Sequence, residues 1–272
     1  LPVRVANTAP PASAVPAASA AAGGAPDRAV VVAAPRRRCG PPPGPGDGSP
    51  GVPPRGARSF TNAQTIAARL RSSYGRSSKP LHPPVDTEEY EHVGDEGFYL
   101  HLGRLDEEKG VDAVVEAFVE SDRRLVLAGS EGDIGEDIIE QVHQSETIEF
   151  RGFVEEGEKR ELLGRCRALV FNARNEDFGI VPVEANASGK AVLARNEGFP
   201  GLLVSDGENG FVHDGTPEGI QGAIERFERE GIAGHPREQV ESFSTAGFHS
   251  QLESSVCRWY GETRVKTELR DD

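Results

Sequence analysis

From residue 98 to residue 229 the chain alternates short apolar runs with stretches of helical period, and no other feature narrows its fold as far. The apolar runs are 98–102, 125–128, 148–150, 168–171, 191–194 and 211–212, and helical patterns lie at 111–118, 136–143, 158–166, 181–188 and 217–229. The runs are short and apolar throughout, so they read as strands buried on both faces. Strand and helix alternating at this spacing imply an α/β architecture, a doubly wound parallel sheet with right-handed crossovers. Open sheets of this kind bind ligands outside the carboxyl ends of their strands. The loops that follow the strands therefore carry the functional argument.

One such loop opens residues 172–187, Asn-Ala-Arg-Asn-Glu-Asp-Phe-Gly-Ile-Val-Pro-Val-Glu-Ala-Asn-Ala. It follows the 168–171 run and leads into a helix, and Pro182 suits the first turn, where its missing N–H is no loss. Backbone N–H groups and the positive end of a helix dipole then face the crevice, an arrangement suited to phosphorylated ligands. Glu176 on the loop and Glu184 about one turn into the helix bracket that crevice. Two glutamates near a helix N-terminus also complement its dipole, by a few tenths to about 1 kcal/mol each. This stretch alone leaves both readings open.

The loop after the first strand, His101-Leu-Gly-Arg-Leu-Asp-Glu-Glu-Lys-Gly110, is expected on the same edge of the sheet. Gly103 allows a sharp turn, and Arg104 and Lys109 suit a diphosphate, one as a bidentate fork and the other as a point charge. Pairing of these cations with Asp106, Glu107 and Glu108 inside the loop is the competing reading. Gly129-Ser-Glu-Gly132 reads as ordinary turn chemistry after a strand, and His82, His101 and His143 as structural.

The charge is uneven. Residues 1–85 hold 11 Lys and Arg against 2 Asp and Glu, residues 86–272 hold 19 against 42, and the formal total is −14. A surface this acidic and poor in lysine excludes nucleic acid as a partner and fits a halophilic cytoplasm. Cys39, Cys166 and Cys257 show no metal-ligand spacing, and Cys166 reads as core. No run has the length of a membrane span or the form of a secretory signal.

Residues 1–58 hold 13 of the 20 prolines and no Phe, Tyr, Trp or Ile, so they cannot bury enough apolar area to offset ordering and are expected to be disordered. This segment reads as a Pro/Ala-rich linker or tail with a basic cluster at Arg36-Arg-Arg38. Its Arg, Pro, Ala and Gly are also what a GC-rich gene yields in a wrong frame, and an intact frame upstream of Phe60 would support that origin. Residues 59–85 read as a helix capped by Thr61 or Asn62, with Ile66 and Leu70 on one face and a stop at Gly75, followed by an extended connector. Residues 86–262 form the Rossmann-like domain, closed by an amphipathic helix at 245–260 with Phe248, Leu252, Val256 and Tyr260 on its apolar stripe. A charged tail, 263–272, follows.

Three motifs in order carry a resemblance: Gly103-Arg-Leu with Lys109-Gly, then Arg151-Gly-Phe-Val154, then Asn175-Glu-Asp-Phe-Gly-Ile-Val-Pro-Val-Glu184. Together they resemble the donor-binding half of family-4 retaining glycosyltransferases of the GT-B fold, and the Glu-Asp-Phe-Gly-Ile wording looks most like mannosyltransferase members. The resemblance implies that Arg104 and Lys109 hold the donor diphosphate and stabilise it as leaving group. It implies further that Glu176 binds sugar hydroxyls and that the backbone of Phe178, Gly179 and Ile180 approaches sugar and phosphate. Glu184 would accept from the ribose hydroxyls, and the backbone around Phe153 would flank the base. The family works without a side-chain nucleophile in this half, and no metal or other cofactor is expected beside the nucleotide-sugar substrate.

A full member carries an acceptor-binding domain ahead of the position of Phe60, and residues 1–58 do not have the composition for one. The reading is a donor-binding half, truncated or with a replaced N-terminus, of an enzyme that transfers a hexose such as mannose to a sugar or lipid-linked acceptor. The alternative is a donor-binding module or remnant without transferase activity. A nucleotide-sugar epimerase of similar fold is disfavoured by Glu-Asp-Phe-Gly-Ile. The expected site of work is the cytoplasm, with peripheral contact at the inner membrane face for a lipid-linked acceptor. Leu202 or Leu203 stands where the family usually places a donor-contacting Glu.

Overall fold

The computed structural model of the chain describes residues 29–30, 58–119 and 121–268, with side chains described from residue 58 to residue 261. Most of the Pro/Ala-rich segment, with Cys39 and the Arg36–Arg38 cluster, lies outside the described residues. Those described fall into two compact units, one drawn from residues 1–83 and 250–272 and the other comprising residues 84–249.

In the smaller unit, β2 (Phe60–Thr61) pairs antiparallel with β1 (Ala29–Val30) and parallel with β3 (Lys79–Pro80). Helix α1 (Gln64–Tyr74) buries Ile66 and Leu70 and stops at Gly75, whose φ of 61° is left-handed. Its start corrects the sequence reading. Thr61 is drawn into β2, its hydroxyl donates to the Ala63 carbonyl at 3.2 Å, and Ala63 takes the N-cap with no side-chain cap bond.

The larger unit is built on six parallel strands: β4 (Phe98–Leu102), β5 (Arg124–Ala128), β6 (Ile148–Phe150), β7 (Ala168–Phe171), β8 (Ala191–Arg195) and β9 (Gly210–His213). Their order across the sheet is β6-β5-β4-β7-β8-β9. Helices α2 (Val111–Val119), α3 (Glu136–Gln144), α4 (Glu156–Arg165), α5 (Ile180–Ala187), α6 (Pro200–Leu203), α7 (Pro217–Glu230) and α8 (Pro236–Gln239) lie between and after them. On one face Tyr99, Leu125, Leu127, Val170, Leu193 and Phe211 join residues of α2, α3 and α7 in a single core. The alternate strand residues Leu100, Val126, Leu169 and Val192 are buried as well. Both faces are therefore covered, which is why the strands read as continuous apolar runs. Cys166, at the end of α4, is fully buried, and burial pushes its thiol up to about 12.

Two buried asparagines tie α5 to the turn before β9. Asn209 Nδ2 donates to Asn186 Oδ1 at 2.9 Å, Asn186 Nδ2 donates to the Lys190 carbonyl at 2.9 Å, and Asn209 Oδ1 accepts from the Ser205 N–H at 2.7 Å. Removing Asn186 leaves Asn209 Nδ2 with the Leu203 carbonyl alone, at 3.2 Å, and takes a donor from the Lys190 carbonyl. Asn186→Ala is expected to lower stability by about 2 kcal/mol, read as a lower urea midpoint, and an unchanged midpoint would show that water replaces the lost bonds.

The last helix, α9, spans Thr245–Glu268 and so runs past the expected end at residue 260. The inward stripe also differs from the sequence reading. Val256 and Tyr260 are 41% and 70% exposed, whereas Ser255 is buried and accepts from Lys79 Nζ at 2.6 Å. Trp259 stacks on Phe60 at 4.7 Å between ring centroids. Stacking of Trp259 on Phe60 turns the face of 255 and 259 inward, so of the four expected stripe residues Phe248 and Leu252 are half-buried while Val256 and Tyr260 face solvent.

Candidate functional site

Strands β4 and β7 are neighbours, with Leu100 opposite Leu169, yet the chain leaves them toward opposite edges of the sheet. A crevice opens where the strand order reverses in this way. The loops after β4 and β7 are stitched across it. The Arg174 N–H donates to the Glu108 carbonyl at 2.8 Å, and buried Asn172 Nδ2 donates to the Gly110 carbonyl at 2.9 Å.

Lys109 Nζ meets Glu176 Oε2 at 2.7 Å, so two residues singled out on separate loops form one ion pair, each side chain about a quarter exposed. Arg104 behaves differently. It is 59% exposed and pairs inside its own loop with Asp106 at 3.1 Å and Glu108 at 3.4 Å. The pair with Glu108 is exposed on both sides, 59% and 82%, and contributes about 0–1 kcal/mol, so a phosphate can displace it at little cost. Asp106 is buried and steadies the guanidinium from within the loop.

Under Arg104 the strand-end loops form a ladder. The Gly103 N–H donates to the Ala128 carbonyl at 3.0 Å, Leu105 to Ser130 at 3.0 Å, and Gly129 to Gly152 at 2.8 Å. His101 lies beneath, fully buried, with Nδ1 at 3.1 Å from the Val170 carbonyl. A carbonyl only accepts, so Nδ1 carries the proton. Burial holds this imidazole down at about 4, which leaves it neutral at pH 7. Phe153, just beyond Gly152, is 72% exposed on the next loop of the same edge.

The acidic loop is held from below by the segment after β8. The Phe199 N–H donates to the Glu176 carbonyl at 3.0 Å, and Asn175, with φ of 50°, donates its N–H to Glu197 Oε1 at 2.9 Å. Phe178 turns its ring into the core, stacked on Phe199 at 5.2 Å and tilted against Phe243 at 5.8 Å. What it offers a ligand is therefore backbone. Gly179 is the N-cap of α5 in left-handed conformation, φ 70°, and a Cβ there would stand 2.9 Å from Pro200 Cγ and 3.3 Å from Glu176 Cγ. No side chain caps α5, and Ile180 at its first position is 46% exposed. Uncapped first-turn N–H groups at a crevice form an anion site. In α6, Leu202 is 67% exposed and Leu203 is buried.

Glu184, one turn into α5, is buried. Its Oε1 accepts from the Tyr90 hydroxyl at 2.7 Å and from Lys159 Nζ at 2.8 Å, while its Oε2 is buried with no hydrogen-bond partner among the described residues. Tyr90 and Lys159 also reach Glu156, at 3.0 and 2.9 Å. Burial, then the charge of Glu184, pushes the Tyr90 hydroxyl above its ordinary range. Burial alone would lower Lys159, but its bonds to Glu184 and Glu156 outweigh that and hold it above the usual lysine value. Sequence reasoning passed over Tyr90, Lys159 and Glu156. The available signal was the one aromatic residue, Tyr90, in the otherwise polar stretch 86–92 ahead of the first strand.

Residues 84–247, more than half of the chain, match the family model described as Glycosyl transferases group 1. The alpha-1,3/1,6-mannosyltransferase ALG2 of Homo sapiens is 29% identical over 241 residues, covering 73% of this chain and 58% of that protein. The chain thus spans less than two thirds of the length of this relative. Sucrose-phosphate synthase from Thermosynechococcus elongatus is similar in structure with a TM-score of 0.66 at 18% identity, over 75% of this chain and 59% of that one. Anabaena Alr3699/HepE, solved in complex with UDP and glucose, gives a TM-score of 0.63 at 20% identity, over 73% of this chain and 62% of that one. At these identities the likeness is one of fold, that of a GT-B half.

Proposed function

The chain belongs to the group 1 glycosyl transferases, and from that premise we propose that it binds a nucleotide-diphosphate sugar and serves retaining transfer of a hexose, with mannose the candidate sugar. The observation that carries this reading is the meeting of Lys109 and Glu176 at the switch point of the sheet, beside the uncapped start of α5. A diphosphate seated there meets Lys109, Arg104 and first-turn N–H groups. These stabilise the charge that develops on the departing phosphate, the main demand of the transfer step. Glu176, released from Lys109, turns to sugar hydroxyls, and the unpartnered Oε2 of Glu184 accepts from the ribose. The backbone of Phe178, Gly179 and Ile180 borders sugar and phosphate, and that around Phe153 flanks the base. Retention follows when the acceptor hydroxyl bonds to the anomeric carbon on the face from which the phosphate departs, that phosphate taking the acceptor proton, which needs no side-chain nucleophile and no metal. The acceptor is a sugar or a lipid-linked sugar, reached by peripheral contact with a membrane surface; among the described residues no helix is long and apolar enough to cross a membrane.

Calorimetric titration with uridine and guanosine diphosphates and their hexose conjugates tests the reading. One base is expected to bind, and Arg104→Ala should weaken it by about 1.5–3 kcal/mol, the worth of a hydrogen bond to a charged group. A folded chain that binds none of these ligands, or an Arg104→Ala variant with unchanged affinity, would overturn it.

A further inference from the structure

Glu184 is held by one oxygen only. Tyr90 and Lys159 both donate to Oε1, at 2.7 and 2.8 Å, and Oε2 lies buried and bare among the described residues. Two donors on a single oxygen fix the rotation of the carboxylate and leave its other face for a donor that the protein does not supply. We propose that Tyr90 is a positioning residue for this site: its hydroxyl, with Lys159, aims Glu184 Oε2 at the hydroxyl pair of a ribose and so sets the preference for a ribonucleotide. The inference rests on the reading of Glu184 as the ribose acceptor.

The geometry separates the hydroxyl from the ring that carries it. Arg237 Nη1 donates to the Tyr90 carbonyl at 2.8 Å, and Nη2 to the Thr87 carbonyl at 3.4 Å, so α8 fixes the backbone here. The ring is buried, with Lys159 and Arg160 each 5.8 Å from its centroid. Losing the hydroxyl therefore leaves the ring in place. The competing acceptor, Glu156 Oε1, lies farther from the hydroxyl, at 3.0 Å, and Glu156 is served by Lys159 at 2.9 Å and Arg160 at 3.3 Å. The single phenolic proton goes to Glu184.

The test titrates wild type, Tyr90→Phe and Glu184→Gln with uridine and guanosine diphosphates and with their 2′,3′-dideoxy counterparts. Wild type should prefer the ribose form of one base. In Tyr90→Phe that preference should fall about tenfold, the effect of misplacing one charge-assisted bond, with the dideoxy affinity unchanged. A preference kept in Tyr90→Phe, or equal losses for both sugar forms, would overturn the positioning role. Glu184→Gln shows where such a failure lies. If it too keeps the preference, or if wild type binds neither form, the donor reading of Glu184 falls and the inference with it; if it alone loses the preference, only the role of Tyr90 falls.

Discussion

Gly129→Ala is expected to cost the larger unit about 3–5 kcal/mol, the sum of a strained backbone conformation and an overpacked contact. Gly129 has φ of 150°, and a Cβ built on it would stand 1.8 Å from the Gly103 carbonyl oxygen. That neighbour is backbone, tied into the ladder by its own N–H bond to Ala128 at 3.0 Å. No side chain can swing away, so the β4 loop must move as a whole, carrying Arg104 and Lys109 with it. The control is Gly222→Ala in α7, where an added Cβ meets nothing within 4 Å. There the change should stabilise by about 0.5–1 kcal/mol, because alanine loses less backbone freedom in a helix. Urea unfolding of the two variants reads both signs. A Gly129→Ala midpoint equal to wild type would mean that the loop ladder yields freely.

The sheet was legible because its strands are buried on both faces: β4, β6 and β7 run where the apolar runs stop and start, at 98–102, 148–150 and 168–171. Their order was not legible. Alternation implies a parallel sheet, but which strands neighbour β4 depends on helix packing that no local pattern encodes. The site shows the same division. Lys109 and Glu176 could be placed on one edge from the order of strands and loops, although their direct pairing needed coordinates. Arg104 satisfied the competing reading and paired within its loop. Tyr90 and Lys159 stand 94 and 25 residues from Glu184 in sequence, and nothing at those distances marks a carboxylate's partners. Thr61 as a cap, and Val256 and Tyr260 on the stripe of α9, failed for a shared reason: in each, contacts with distant residues overrode a local preference.

Neutralising either partner of the Lys109–Glu176 pair should move nucleoside diphosphate affinity in opposite directions. In the structure the Glu176 carboxylate lies 2.7 Å from the ammonium that, on the proposed reading, holds the diphosphate. Glu176→Gln removes that competitor, so the free diphosphate should bind more tightly, by up to about 1 kcal/mol, the scale of a partly exposed pair. Lys109→Gln removes the cation and leaves Glu176 facing the phosphates, so binding should weaken by about 1.5–3 kcal/mol. On the proposed reading, hexose transfer should fall in both variants, by about 10²–10³-fold where a charge-stabilising group is lost. For Lys109→Gln the loss expected on that reading lies in leaving-group stabilisation, and for Glu176→Gln in holding the sugar. Calorimetry with the diphosphate and its sugar conjugate separates the two, because only Glu176→Gln should bind the diphosphate better while turning over the conjugate more slowly. Affinities that shift in the same direction in both variants would mean that the pair is a structural tie between loops and that the diphosphate seats elsewhere along the strand ends.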